Sequence, residues 1–482
     1  MFPIRPRISL SLPRATAIAC MLLSSVSAQE GGAPLQAHFA AAQQAQQEGR
    51  LDVAVQEYQQ VLRLQPGLPE AYVNLGLVYY AQAKFDESAH ALTMAAKLRP
   101  GMRGVSLWLG IDDVKLNRPV QGAALLREAI RQDPSEKLAQ SWLGTALWDA
   151  GQTDAALFQL GKASADFPDD PDLLFARGEA YGKAASQQTE QLLGETSGTA
   201  LSDLIYGTHY AEVRDWEKAE GHLRRAIERD PHSLDARLEL ARVLMEQAKL
   251  AAAQEQLEQA MAMTPRSAAL ARSGEVLVLM QQTAEGLDRI RRAFEIDPNE
   301  TLDALGLPQE NVPGSEQAGD ALLPLCRDAT EKLEADVAFN PAKEVALAAL
   351  YAQAGDRDAA LRAYQLIGTA QRTMSPDASL VAQAREQMHR HRYDDAEPVL
   401  LRWLAAHPDD RAARYDLIVA RRNISMAQVI RLVTVAPDSY HVHQLLGEVY
   451  VSREEDDKAL TEYLAVEAAR PDLPGVHFWL GH

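Results

Sequence analysis

Two histidine pairs come nearest to metal chemistry in this sequence: His389 and His391 flank Arg390, and His441 and His443 flank Val442. If both stretches are helical, residues two apart do not share a face, so neither pair can chelate as histidines four apart would. Solvated or groove-facing histidines are expected instead. The run Arg453-Glu454-Glu455-Asp456-Asp457 is acidic enough for calcium, but it lacks the alternating oxygen ligands and the glycine of a calcium-binding loop. It reads as a solvated turn whose acids favour the N-terminus of the next helix. No glycine-rich phosphate loop, His-Glu-x-x-His helix, Cys-x-x-Cys pair or Gly-x-Ser-x-Gly elbow occurs. The expectation is a chain that is not an enzyme, with no catalytic residue, metal or cofactor to assign.

Charge narrows the partners. The 48 basic residues are outnumbered by 67 acidic ones, a net of -19. Nucleic-acid affinity rests on clustered Lys and Arg, so nucleic acid is excluded as the main ligand. Asn299-Glu300-Thr301 and Asn423-Ile424-Ser425 fit a glycosylation sequon, which matters only in a eukaryotic secretory route; the Ala-rich composition points to a bacterial one.

The first residues carry the three parts of an export signal: Arg5, Arg7 and Arg14, an apolar stretch from Ala15 to Val26, and small residues ending Val26-Ser27-Ala28. Cleavage is expected after Ala28, giving a periplasmic or extracellular product. The apolar stretch is shorter than the ~20 residues of a spanning helix, and no integral membrane span is expected. Cys20 offers lipid anchoring as an alternative, but Met21-Leu22-Leu23 continues the apolar stretch where a lipidated cysteine would begin the mature chain. Cleavage after Ala28 leaves Cys326 as the single cysteine, so packing alone must stabilise the fold.

The elements that must position any site follow from a period. Prolines 66, 100, 134 and 168 are each 34 residues apart; prolines 231, 265 and 298 follow at 34 and 33, and prolines 376, 408, 437 and 471 at 32, 29 and 34. Each follows an apolar-periodic stretch, so the unit is two helices closed by a proline that cannot donate to the second. Small residues recur at fixed offsets: Gly76, Gly110, Gly144, Gly178 and Gly207, then Ala54, Ala156, Ala219 and Ala253, then Ala95, Ala129, Ala163 and Ala226. They let helix axes approach closely. Large residues such as Leu75, Tyr79 and Leu92 fill the space between pairs.

Tyr72, Leu75, Gly76, Tyr79, Ala95 and Pro100 resemble the signature of the tetratricopeptide repeat, with Ser88 and Leu92 in place of its usual Ala and aromatic. The resemblance covers about 35–300 well and 320–482 more loosely. It implies an all-α fold: tandem helix-turn-helix repeats stacked as an α-solenoid superhelix. The expected organisation is a signal peptide at 1–28, an N-terminal array at 35–300, an irregular linker at 301–319 where Leu307-Pro308 and Pro313-Gly314 break the period, and a C-terminal array at 320–482. Two stretches depart from the 34-residue period. Pro168 to Pro231 and Pro408 to Pro471 each span 63 residues, 34 + 29, and both begin Pro-Asp-Asp, which suggests a duplicated block. Val476-His-Phe-Trp479-Leu-Gly481 echoes Val105-Ser-Leu-Trp108-Leu-Gly110, so the last repeat reads as incomplete and the native product as longer.

In this family the first helix of each pair lines a concave groove. Carried over, the candidate ligand-binding positions are Val73, Asn74, Leu77 and Tyr80, then Leu107, Trp108 and Ile111, then Ser141, Trp142, Thr145 and Trp148, and further along Phe175, Glu179 and Leu204. Trp108 and Trp142 lie two residues before the glycine, not four before it where the family's packing aromatic belongs, which favours a groove role. Family co-chaperones grip a C-terminal carboxylate with Lys and Asn on three first helices. Only Asn74 matches; Phe39, Gln43, Gly104 and Trp108 hold the other places. Without that clamp, an aromatic, weakly acidic groove suits apolar or basic segments. The resemblance therefore implies a non-catalytic scaffold that binds proteins or peptides. The alternatives are a substrate-recruiting arm of a larger enzyme, for example a glycosyltransferase cut off after residue 482, and a component of an envelope export or assembly complex.

Overall fold

A computed structural model of the chain describes residues 32–263, 267–296, 301, 304–305, 323–334, 341–353, 380–389, 392–453, 455–470 and 473. These residues form 22 helices, and none of them lies in a strand. No described helix is long and apolar enough to cross a membrane. The signal at 1–28 and most of the expected linker at 301–319 lie outside the described residues.

Regular antiparallel pairs dominate: α1 (Ala33–Gln47) with α2 (Leu51–Leu64), α3 (Pro69–Ala81) with α4 (Phe85–Leu98), α5 (Val105–Lys115) with α6 (Pro119–Gln132), and α7 (Lys137–Asp149) with α8 (Thr153–Asp166). After α9 (Pro171–Thr196) come α10 (Ala200–Glu212) with α11 (Trp216–Arg229), α12 (Leu234–Glu246) with α13 (Leu250–Met263), and α14 (Ser267–Leu279) with α15 (Thr283–Ile296). The rest are α16 (Leu323–Glu334), α17 (Pro341–Gln353), α18 (Leu380–His389), α19 (Tyr393–Ala406), α20 (Arg411–Val435), α21 (Tyr440–Ser452) and α22 (Asp456–Ala469).

Local chemistry explains the pairing. The helices ending at Leu64, Leu98, Gln132, Asp166, Arg229 and Val435 each stop two residues before a period proline, whose ring forbids helical geometry in the residue before it. Each regular pair turns seven residues after its close-packing position, at Gly49, Ala83, Asn117, Gly151, Arg214, Ala248 and Gln281, all with positive φ. The glycines sit where axes nearly touch. A Cβ on Gly76 would lie 2.8 Å from Leu92 Cγ, and one on Gly122 would lie 2.7 Å from the Gly110 carbonyl oxygen.

The helices form two compact units, one within 1–184 and 425–482, the other within 185–424. In the first, α1 to α8 are followed by residues 171–184 of α9, which have no second helix of their own. Residues 425–435 of α20 fill that place: the Cβ position of Gly178 faces Gln428, Val429 and the Ser425 carbonyl, and Leu174 joins Leu432 and Val442 in one buried cluster. Arg431 Nη2 pairs with Asp169 Oδ1 at 2.9 Å, and α21 and α22 follow.

In the second unit the roles are reversed. Residues 411–424 of α20 act as a first helix, and residues 185–196 of α9 as its second, with Ala185, Leu192, Ile205 and Ile418 buried together and Arg414 paired with Glu195. The rest of that unit packs Leu240, Leu257, Ile290, Cys326 and Leu350 into one core. Burial, with Glu275 and Glu246 nearby, pushes the Cys326 thiol up to about 12, so it stays protonated and inert. Arg421, wholly buried, is held by Glu397 at 2.8 Å.

The cause of the exchange is the 29-residue spacing noted above. At the two places where the period is five residues short, the turn position falls on Ala185 and Ser425, and the helix runs straight through. Both 63-residue blocks thus build the same long helix, of 26 and 25 residues.

Candidate protein-binding face

The first-helix positions taken from the sequence fall into two groups. Val73, Leu77, Tyr80, Leu107, Trp108, Ile111, Ser141, Trp142, Thr145 and Leu204 are buried; Asn74, Trp148, Phe175 and Glu179 are half-buried. The buried aromatics fill contacts between successive first helices. Tyr80 meets Trp108 edge-on at 5.1 Å between ring centres and Phe85 at 5.5 Å, and Lys115 lies 4.9 Å above the ring of Trp142. Placed two residues before the glycine, a tryptophan packs on the preceding first helix. The Tyr58 hydroxyl, beside Asn74, donates to Gln46 Oε1 at 3.1 Å.

One buried group in this region stands out. Asp112 is wholly buried in α5, two residues after the packing glycine, where the neighbouring repeats carry Val78 and Ala146. Its carboxyl oxygens make no hydrogen bond of good geometry, with only the Ser88 hydroxyl acting on them. Burial pushes its pKa up to about 8; Ser88 pulls it back in part, while Asp113 and Asp86 add to the rise.

The first-helix face of this unit becomes accessible at the end of α7, along 171–184 of α9 and along α21. Trp148, Phe175, Glu179, Lys183 and Gln444 are half-buried there, and Glu448 and Val451 are exposed. Glu179 pairs with Lys183 one helical turn on, and Gln444 Nε2 donates to Glu448 Oε1 at 3.2 Å. Beneath them the His441 ring stacks on Phe175, 4.2 Å between centres, and its Nε2 lies 2.9 Å from Asp172 Oδ1. His441 is therefore not the solvated or groove-facing residue expected: α21 packs directly on α9 and buries it to 2% exposure. Burial alone would raise the Asp172 carboxyl, but His441, Lys137 and the Tyr440 hydroxyl outweigh it and hold it below the usual range. His443 bonds Glu462 at 2.7 Å, and His389 and His391 lie outside the residues whose side chains are described. Among the described residues no group of three or more His, Cys, Asp or Glu is placed to hold a metal ion.

The second unit's first-helix face carries charges already matched to one another. Arg242 pairs with Glu239 at 2.9 Å, Arg272 with Glu275 at 3.0 Å, and Arg422 with Glu212. A cleft in the same unit, lined by Glu195, Asp409, Asp410, Arg411 and Arg414, is likewise matched. Arg414 holds Glu195, and Asp410 accepts from Trp403 Nε1 at 2.8 Å and from the Ala413 amide at 3.0 Å.

Models described as tetratricopeptide repeat match residues 107–171, 143–184 and 210–274, and one described as TPR repeat matches 46–82. The matched stretches, 46–82, 107–184 and 210–274, carry tetratricopeptide repeats. An array of this kind is a protein-interaction scaffold, and no enzyme family is indicated. Solved structures that match part of the chain include YrrB, titled a TPR protein with an unusual peptide-binding site, at 21% identity over 41% of this chain and 88% of that one, TM-score 0.28. MamA from Desulfovibrio magneticus is 15% identical over 42% and 98%, TM-score 0.30, and the human IFIT1 dimer with m7Gppp-AAAA 17% over 69% and 70%, TM-score 0.27. Among curated proteins none matches the chain.

Proposed function

We propose that this tetratricopeptide-repeat chain holds a segment of another protein against the face formed by Trp148, Phe175, Glu179, Gln444 and Glu448. The observation that carries the reading is where the first-helix face opens. Along α3, α5 and most of α7 its positions are closed by the chain's own side chains, whereas from Trp148 through α9 to α21 they remain accessible. Aromatic area beside a few polar groups suits a peptide, supplying contact surface and orientation together. The reading includes export, with the leader removed after Ala28, which N-terminal sequencing of the secreted product checks.

Peptides selected on the purified chain from a random display library test the binding face. They are expected to compete with one another and to weaken about tenfold with Trp148→Ala, in a variant of unchanged helicity. Phe158→Ala, which removes an aromatic ring exposed elsewhere on the unit, leaves binding unaltered. Selected peptides indifferent to Trp148, or sensitive to both substitutions, overturn the reading.

A further inference from the structure

We propose that Glu448 and Glu179 form a clamp for one arginine or lysine side chain of the bound segment; this rests on the reading above and names the chemistry of the partner. The first support is a missing counter-charge. Glu179 and Glu448 lie on neighbouring first helices, and the positive charge near them is that of Lys183, already paired with Glu179. The other groups about Glu448 are Gln444, a neutral donor, and Tyr463 of α22. Although the residue reaches solvent, partial desolvation raises the Glu448 carboxyl, the Gln444 hydrogen bond pulls it back in part, and Glu179 raises it again against the opposing pull of Lys183. A second cation would relieve both effects.

The second support is independent of charge. Leu446, Val449 and Val451 on α21 are 36%, 41% and 53% exposed, while their counterparts on α3, namely Leu75, Val78 and Tyr80, are 6%, 0% and 9% exposed. Among the described residues the apolar surface flanking Glu448 is thus exposed, where its counterpart on α3 packs against α5. A basic side chain fits both features, since its aliphatic stem lies on apolar surface while its head reaches a carboxylate.

Fluorescein-labelled nonapeptides provide the test: three repeats of Ala-Arg-Leu, and the same sequence with citrulline, the neutral isostere, replacing arginine. At physiological salt the arginine probe is expected to bind the purified chain about tenfold more tightly than the citrulline probe. Glu448→Gln and the double variant with Glu179→Gln abolish that preference. Glu87→Gln, an equal charge change at an exposed site on α4, preserves it. If Glu87→Gln weakens binding as much as Glu448→Gln, general attraction to an acidic protein is the cause and the clamp is overturned. It is overturned as well if the preference survives both glutamine variants. Equal binding of both probes, weakened alike by Trp148→Ala, removes the clamp and leaves the peptide-holding face standing. Binding indifferent to Trp148→Ala removes both.

Discussion

The Ser425 hydroxyl donates a 2.8 Å hydrogen bond to the carbonyl oxygen of Gly178, a residue 247 positions earlier. In a regular pair the glycine meets its own second helix within one repeat, as Gly76 meets Ser88 and Leu92. The same site is thus built once by a hairpin and once by two distant parts of the chain.

That geometry is open to covalent capture. A Cβ on Gly182 would lie 3.8 Å from the Ser425 Cβ, close to the separation of about 3.8 Å typical of disulfides. Gly182→Cys with Ser425→Cys is expected to oxidise to an intramolecular disulfide that peptide mapping assigns to 182 and 425. Two free thiols after mild oxidation, or bonds only between chains, would contradict the pairing.

Close approach makes some glycines irreplaceable and others dispensable. A Cβ on Gly286 would sit 2.6 Å from the Gly274 carbonyl oxygen, whereas one on Gly194 meets nothing within 4 Å. Gly286→Ala should therefore destabilise the fold by about 1–3 kcal/mol through overpacking against backbone. Gly194→Ala should stabilise α9 by up to about 1 kcal/mol. Urea midpoints of the two variants, moving in opposite directions, check this.

Asp112 gives stability a pH dependence of definite sign. Its native pKa, about 8, lies above the ordinary carboxylate value of 3.8. Between those values the unfolded chain releases the proton while the native chain keeps it, so this residue's contribution falls as pH rises and is flat above about 8. Asp112→Asn keeps the shape without the charge. Its advantage over the parent should be small near pH 4 and grow to about 2–4 kcal/mol at pH 9. Denaturation midpoints at a series of pH values measure it; a difference independent of pH would count against a buried, titrating carboxyl.

Trp142 is 1% exposed. Trp142→Ala is expected to lower stability by about 3–5 kcal/mol by leaving a cavity between α5 and α7, whereas the half-buried Trp148 tolerates the same change better. Melting curves of the two variants decide: an unchanged melt for Trp142→Ala would return that ring to the binding face.

Repeat identity, helix pairing and the proline stops were legible because each is a local rule: a ring that blocks a helix, a glycine where axes touch, a turn seven residues later. The exchange was only half legible. Five missing residues at Ala185 and Ser425 mark the place, but nothing local says that the second half of one long helix will pair with the first half of the other. The fate of the aromatics was hidden for a related reason. Whether Trp108 faces a groove or the preceding helix depends on how tightly successive first helices pack, and Tyr80 and Lys115 decide that from a different repeat. His441 looked solvent-facing because its partners, Asp172 and Phe175, lie in a block that sequence order places far away.

A ribosome adds about 5–20 residues each second, so some 12–50 s separate the emergence of Gly178 from that of Ser425. Over that interval Leu174 and its neighbours have no second helix to cover them, however well the repeats before them have formed. An ordinary repeat closes on itself within seconds of leaving the tunnel. Here the schedule of synthesis and the order of assembly disagree, and the slowest contact to close is set by distance along the chain and not by any weakness in the helices themselves.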